Sequence, residues 1–268
     1  MSNQDAATPR VFLVRHGRFQ ATHTPLNKPP LTTRFPETGE TEWSKTGQYT
    51  GTTDLDLTER GMSQVSSAAA TLVGPRKLLD PAQLAHVFVS PRLRAQTTLN
   101  LLLGRFTVGK VICTDDIAEW DYGCYEGLTE REIRDRRKGQ GLDVEEDWSV
   151  WRDGCEGGES SEQVTARLDR IISRIKDIQK PYMKGVGPAN ILLVAHGLIL
   201  RCLVKRWLGF PIDFNLLMIF DPGAIAVLSY KNNDITKPAF HVGVAVPPSE
   251  EDRDNGALDV AAATAMEQ

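Results

Sequence analysis

The sequence is poor in cysteine, in excess basic charge and in long apolar runs. Its four cysteines, Cys113, Cys124, Cys155 and Cys202, are widely spaced and form no Cys-x-x-Cys. That pattern predicts reduced structural thiols in a cytoplasmic protein. Lysine and arginine total 31 against 35 aspartate and glutamate, a net charge of −4, without the basic stripe of a nucleic-acid binder. No apolar run is long enough for a membrane span. The stretch from Met1 to Arg10 lacks the apolar core of a signal peptide. No carboxylate–histidine cluster has metal-ligand spacing, so neither a metal nor a cofactor is expected. Hydrophobic residues make up 41% and charged residues 25% of the 268, which leaves an ordinary globular protein of one or two domains.

One phrase occurs twice. It reads Phe12-Leu13-Val14-Arg15-His16-Gly17 near the start and Leu192-Leu193-Val194-Ala195-His196-Gly197 near the end. Each is a short apolar run of strand type that stops at His-Gly. Ligands of an open α/β sheet sit outside the carboxyl ends of its strands, so the two runs bring two imidazoles to one crevice. The chain has five histidines, and His23, His86 and His241 lack such a context.

The remaining pattern alternates strands and helices. Strands are expected at Val11–Arg15, His86–Ser90, Lys110–Thr114, Asn190–Ala195 and Ala224–Tyr230. Thr58 reads as the N-cap of a helix running to about Val73. Further helices are expected from about Pro91 to Leu103, with Pro91 in the first turn, and over Leu128–Lys138, Ser160–Lys180 and about Leu198–Leu208. In Ser160–Lys180 the residues Val164, Leu168, Ile171, Ile172, Ile175 and Ile178 share one face. This order predicts an α/β fold, a three-layer α/β/α sandwich around a mostly parallel central sheet. From about Pro247 the chain turns acidic and then alanine-rich, and residues 247–268 read as a disordered tail.

The strand ends carry the chemistry. They present Arg15-His16-Gly17, Ser90-Pro91-Arg92-Leu93-Arg94-Ala95, Glu119-Trp120-Asp121-Tyr122-Gly123 and His196-Gly197. Arginine forks match phosphate geometry. Glycine after each histidine allows close approach of a ligand to the backbone. A neutral imidazole is a nucleophile, and a carboxylic acid can protonate a leaving oxygen. The set predicts metal-free phosphoryl transfer through a phosphohistidine.

Val-Arg-His-Gly, Ser-Pro-Arg-Leu-Arg-Ala, Glu-Trp-x-Tyr-Gly-x-Tyr-Glu-Gly and Ala-His-Gly together resemble the histidine phosphatase, or phosphoglycerate mutase-like, superfamily over about residues 10–230. The stretches Thr41–Gly51 and Trp151–Glu156 are similar to the fungal sedoheptulose-1,7-bisphosphatases. The resemblance implies a phosphoglycerate mutase-like domain over residues 1–246 that hydrolyses a sugar phosphate or bisphosphate. It implies His16 as the phosphorylated nucleophile, with Arg15, Arg94 and His196 holding the phosphoryl group. Its Ser-x-x-x-Arg-Ala spacing favours Arg94 over Arg92. Glu119 becomes the proton donor and then the base that activates water. Tyr49, Thr50, Thr41, Trp120, Asp121, Tyr122, Gly197 and Arg201 fall at substrate-contacting positions, with Arg201 a partner for a second phosphate. The implied partner is a small phosphorylated sugar, with self-association left open. Two other readings share these groups: a mutase, which returns the phosphoryl group to its product, and a phosphate-binding module without turnover. Glu-Trp-Asp-Tyr-Gly resembles the phosphatase branch rather than the Glu-Arg-His-Tyr-Gly of mutases.

Two departures stand out. Joining Gly17 to Glu40 would give the unbroken family motif Val-Arg-His-Gly-Glu-Thr-Glu-Trp-Ser. The 22 residues Arg18–Gly39 separate them, with four prolines, five threonines and no helical or strand period. A structureless loop of that length is unusual inside a compact domain. This atypical insertion reads as translated intron, with a lid-like insertion as the rival. The link from Arg201 to Asp221 is also shorter than the bisphosphatase pattern, which bears on substrate identity.

Overall fold

The computed structural model describes residues 8–17, 47–185 and 187–243. Thr41, the insertion 18–39 and the tail 247–268 lie outside the described residues.

Six strands form one mixed sheet: β1 (Val11–Arg15), β2 (Leu84–Val89), β3 (Lys110–Cys113), β4 (Asn190–Ala195), β5 (Ile225–Tyr230) and β6 (Pro238–Phe240). Their order is β3-β2-β4-β1-β5-β6. The pairs β3-β2, β2-β4 and β4-β1 are parallel, whereas β5 is antiparallel to both β1 and β6. The parallel core agrees with the expected architecture, while β6 was not expected. Each helix of eight residues or more agrees with its expected position within two residues. These are α1 (Glu59–Leu72), α2 (Leu93–Leu103), α3 (Glu130–Gly139), α5 (Ser161–Gln179) and α6 (Gly197–Trp207). The single turn α4 (Val150–Asp153) was missed. Pro91 is not in the first turn of α2, because Arg92 is still extended and α2 starts at Leu93.

Strand alternation divides the core into two layers. Val11 and Leu13 of β1, with Ile191, Leu193 and Ala195 of β4, face the apolar stripes of α5 and α6. Phe12, Val14, Leu192 and Val194 point the other way, onto Val65 and Ala69 of α1 and Ala95, Leu99 and Leu102 of α2. Local signals fix the helix starts. The Thr58 hydroxyl accepts from the Gly61 N–H at 2.9 Å, and reciprocal capping boxes open α3 at Thr129 and α5 at Ser160.

The register of this sheet builds the site. Arg15 of β1 pairs with Ala195 of β4, so the next residue of each strand emerges side by side. Those residues are His16 and His196. Val89 of β2 pairs with Val194, which brings Ser90 to the same edge.

Candidate active site

The His16 N–H donates to the Ala195 carbonyl at 3.0 Å, and the two imidazole centroids lie 4.9 Å apart. That distance is the spacing of neighbouring strands. His16 Nδ1 lies 2.6 Å from the Gly17 carbonyl. A carbonyl only accepts, so Nδ1 holds the proton and Nε2 holds the lone pair. Burial, reinforced by the Arg94 and Arg15 charges, holds this imidazole well below its ordinary value. The ring is therefore neutral at pH 7, as a nucleophile requires.

His196 is fully buried behind it. Its Nδ1 accepts from Arg94 Nε at 3.2 Å, and its Nε2 lies 2.6 Å from the Ser90 hydroxyl. An arginine only donates, so His196 is the Nε2–H tautomer donating to Ser90. Burial and the Arg94 charge depress its pKa strongly as well.

Glu119 is held where α6 begins. Its Oε1 accepts from the Ile199 N–H at 3.1 Å and from its neighbour Trp120 at 3.0 Å; Oε2 accepts from the Leu198 N–H at 3.3 Å. The carboxylate thus takes two of the N–H groups that a helix start leaves without partners, at the positive end of the helix dipole.

Arg15 and Arg201 complete the charged floor. Arg15 Nη1 donates to the Phe220 carbonyl at 2.6 Å. The Nε atoms of Arg15 and Arg201 are buried with no hydrogen-bond partner among the described residues. Burial lowers the Arg15 pKa; Glu119 opposes this and Arg201 adds to it. Two guanidinium groups with unmet donors in one cleft form a ready anion site.

A cavity of about 500 Å³ opens over these groups. Of the residues assigned from sequence, Arg15, His16, Tyr49, Thr50, Glu119, Tyr122, Gly197 and Arg201 line it. Arg94, His196, Trp120 and Asp121 do not. Arg94 is buried, and its guanidinium is spent on the carbonyls of Thr50, Gly51 and Thr53 as well as on His196. It stands behind the histidine rather than at the cleft. Arg92 is half-buried and also outside the lining. Trp120 is a core aromatic whose indole N–H donates to the Glu159 carbonyl at 3.0 Å. Asp121 is a turn residue whose carboxylate accepts from Gly123 N–H at 3.0 Å.

The glycines after the histidines serve packing. A Cβ on Gly17 would lie 2.8 Å from the Gly61 carbonyl and from Val65 of α1. A Cβ on Gly197 would come within 3.0 Å of the Arg15 guanidinium. Gly17 thus makes room for α1 and Gly197 for Arg15, and Gly197 also lines the cavity.

Several site residues escaped the sequence reading. Glu130, Arg134, Trp148, Ser149 and Trp151 also line the cavity. Glu126 accepts from the backbone N–H groups of Gly51 and Thr53 and so anchors the segment carrying Tyr49 and Thr50. Trp151 and Glu126 both sit inside the quoted motifs, which was the available signal. Among the described residues no group of three or more His, Cys, Asp or Glu could hold a metal ion. Within the same residues no helix is long and apolar enough to cross a membrane.

The class of protein follows from the comparison with known families. The chain belongs to the histidine phosphatase superfamily (branch 1), whose model matches residues 38–240. By class it is a phosphoric monoester hydrolase. It is 33% identical to a sedoheptulose 1,7-bisphosphatase of Saccharomyces cerevisiae, across 93% of this chain and 98% of that protein. It is 37% identical to an acid phosphatase of Mycobacterium tuberculosis, across 72% of this chain and 84% of the relative. The solved structure of an open reading frame product from the same bacterium superposes with a TM-score of 0.62 at 26% identity, covering 87% of this chain and 96% of the other.

Proposed function

We propose that the protein is a metal-independent phosphatase of sedoheptulose-1,7-bisphosphate that works through a phosphohistidine at His16. The observation that carries this reading is the neutral His16, with its lone pair on Nε2, beside Glu119 and the unmet donors of Arg15 and Arg201. Support for the substrate comes from the similarity to the yeast enzyme, which runs nearly the full length of both chains. A cavity of about 500 Å³ walled by Tyr49, Tyr122 and Trp151 suits a small sugar, and Arg201 is available to its second phosphate.

In the first step His16 Nε2 attacks phosphorus and the bond to the sugar oxygen breaks. Protonated Glu119 gives its proton to that oxygen. In the second step the Glu119 carboxylate takes a proton from water, the hydroxide attacks the phosphohistidine, and phosphate leaves with the electron pair returned to Nε2. Arg15 stabilises the charge that spreads over the equatorial oxygens. His196 and Arg94 keep the floor rigid. The four free cysteines accord with a cytoplasmic enzyme of carbohydrate metabolism.

The test is phosphate release from sedoheptulose-1,7-bisphosphate in EDTA, with His16→Ala as the companion. We expect release by the protein and none by the variant. Release by His16→Ala would remove the covalent mechanism. Loss in EDTA with recovery on a divalent ion would remove the metal-free one. Release from other sugar phosphates but not from this one would remove the substrate.

A further inference from the structure

Glu119 stands on a segment with little regular structure of its own: one 3-10 turn, Asp115–Ile117, follows β3, and another begins at Gly123. What fixes that segment lies outside it. Arg167 of α5 is buried, and its Nη1 donates to the carbonyls of Asp115 at 3.3 Å, Asp116 at 3.1 Å and Ala118 at 2.8 Å. Its Nη2 reaches the carbonyl of Glu119 itself at 3.5 Å. The same guanidinium forms a two-point pair with Glu159, Nε to Oε1 at 2.8 Å and Nη2 to Oε2 at 2.9 Å. Glu159 then holds the far side of the segment. Its Oε2 accepts from the Asp121 N–H at 3.0 Å, its own N–H donates to the Asp121 carbonyl at 2.9 Å, and its carbonyl accepts from the Trp120 indole. The two backbones touch: a Cβ on Gly158 would lie 2.2 Å from the Asp121 carbonyl.

We propose that the pair of buried Arg167 and half-buried Glu159 is the positioning device for the proton donor, fixing Glu119 against the α6 start so that its carboxyl meets the leaving oxygen. The inference rests on Glu119 being that donor. Neither Arg167 nor Glu159 lines the cavity, so both act through the backbone of residues 115–121. Four carbonyls and a carboxylate on one planar fork hold the segment in one place, a geometry that a lysine ammonium cannot reproduce. Misplacing a catalytic group by about 1 Å is enough to cost a large factor in rate.

A purely structural pair would slow all substrates alike. A positioning pair would slow only those whose leaving group needs a proton. The experiment compares kcat/KM, which reports the phosphorylation step, for a sugar phosphate and for 2,4-dinitrophenyl phosphate. The variants are Arg167→Lys, Glu159→Gln, Glu119→Gln and the doubles with Glu119→Gln, each assayed below its own unfolding temperature. Glu159→Gln keeps the side-chain shape and decides the matter should Arg167→Lys not fold. We expect the sugar phosphate to lose on the order of tenfold or more and the aryl phosphate about twofold or less. In the Glu119→Gln background the pair variants should add nothing further. Equal losses on both substrates, or additive losses in the doubles, overturn the inference while Glu119→Gln alone still discriminates. A Glu119→Gln variant that slows both substrates alike overturns the donor reading, and the inference with it.

Discussion

The neutral state of His16 can be tested without any substrate. In the unfolded chain the imidazole has its ordinary pKa near 6.5. In the folded protein burial beside Arg94 and Arg15 holds it well below that value. Below pH 6.5 the unfolded chain therefore binds a proton that the folded chain refuses, and stability falls as pH falls. For a ring that stays neutral in the fold, the loss between pH 7 and pH 5.5 is about 1.3 kcal/mol. That corresponds to roughly 3–5 °C in unfolding temperature for a domain of this size. The control is His16→Asn. Its amide nitrogen can replace Nδ1 as donor to the Gly17 carbonyl, but it does not titrate. Urea titrations of both proteins at the two pH values should show the wild type losing about 1.3 kcal/mol more than the variant. Titratable groups outside the site cancel in that difference. Equal losses would mean that His16 accepts a proton in the fold, and a smaller loss in the wild type would mean that the folded site favours the imidazolium. Either result would refute the neutral nucleophile.

Gly17→Ala places a Cβ 2.8 Å from the Gly61 carbonyl and from Val65, so it should cost about 1–3 kcal/mol in a urea titration. An unchanged midpoint would show that α1 yields freely. Lys205→Met should raise KM for the sugar phosphate about fivefold with kcat unchanged, because Lys205 Nζ lies 3.8 Å from the centroid of Trp151 in the cavity wall. The same Nζ donates to the Ile212 carbonyl at 2.7 Å, so this lysine also ties the short Arg201–Asp221 link to that wall. An unchanged KM would separate the link from substrate binding. For Arg18–Gly39 we propose translated intron. The spliced transcript should join Gly17 to Glu40, and one that encodes the 22 residues would refute it.

The parallel part of the fold was legible because its signals are local and agree with one another. Val11–Arg15 and Asn190–Ala195 are buried apolar runs ended by a polar residue, and the strands begin and end where those runs do. Thr58 caps α1 as its hydroxyl chemistry requires. Strand direction has no such signal: Ile225–Tyr230 reads the same whether it runs with β1 or against it, and pairing alone makes it antiparallel. Pro238–Phe240 is three half-buried or exposed edge residues, too short for alternation to show. The site divides in the same way. His16 and His196 announce themselves by a repeated context, and sheet register brings them together. Trp120 and Asp121 share a motif with Tyr122, but successive residues on a segment of this kind point in different directions. Only Tyr122 faces the cavity. Arg94 and Arg92 are two residues apart, and spacing could not say that the guanidinium of Arg94 would be consumed by backbone carbonyls.

That last point changes how charge in the site is understood. A buried arginine whose donors are all engaged stabilises the fold and fixes its neighbours, whereas one with unmet donors is a cost that a ligand can relieve. Arg94 is close to the first kind, since four of its five N–H groups bond Thr50, Gly51, Thr53 and His196. Arg167 is of the same kind, binding the segment that carries Glu119. Arg15 and Arg201 belong to the second, each with a buried Nε that nothing among the described residues satisfies. Their charges repel one another, and a bisphosphate with one phosphate at each would relieve both the repulsion and the unmet donors. Neutral histidines fit this scheme, because two imidazolium rings 4.9 Å apart would add to the repulsion. Under the proposed function the site is then built in two tiers: engaged cations behind the cleft hold the geometry, and cations with unmet donors inside it supply the affinity for the two phosphates of the substrate.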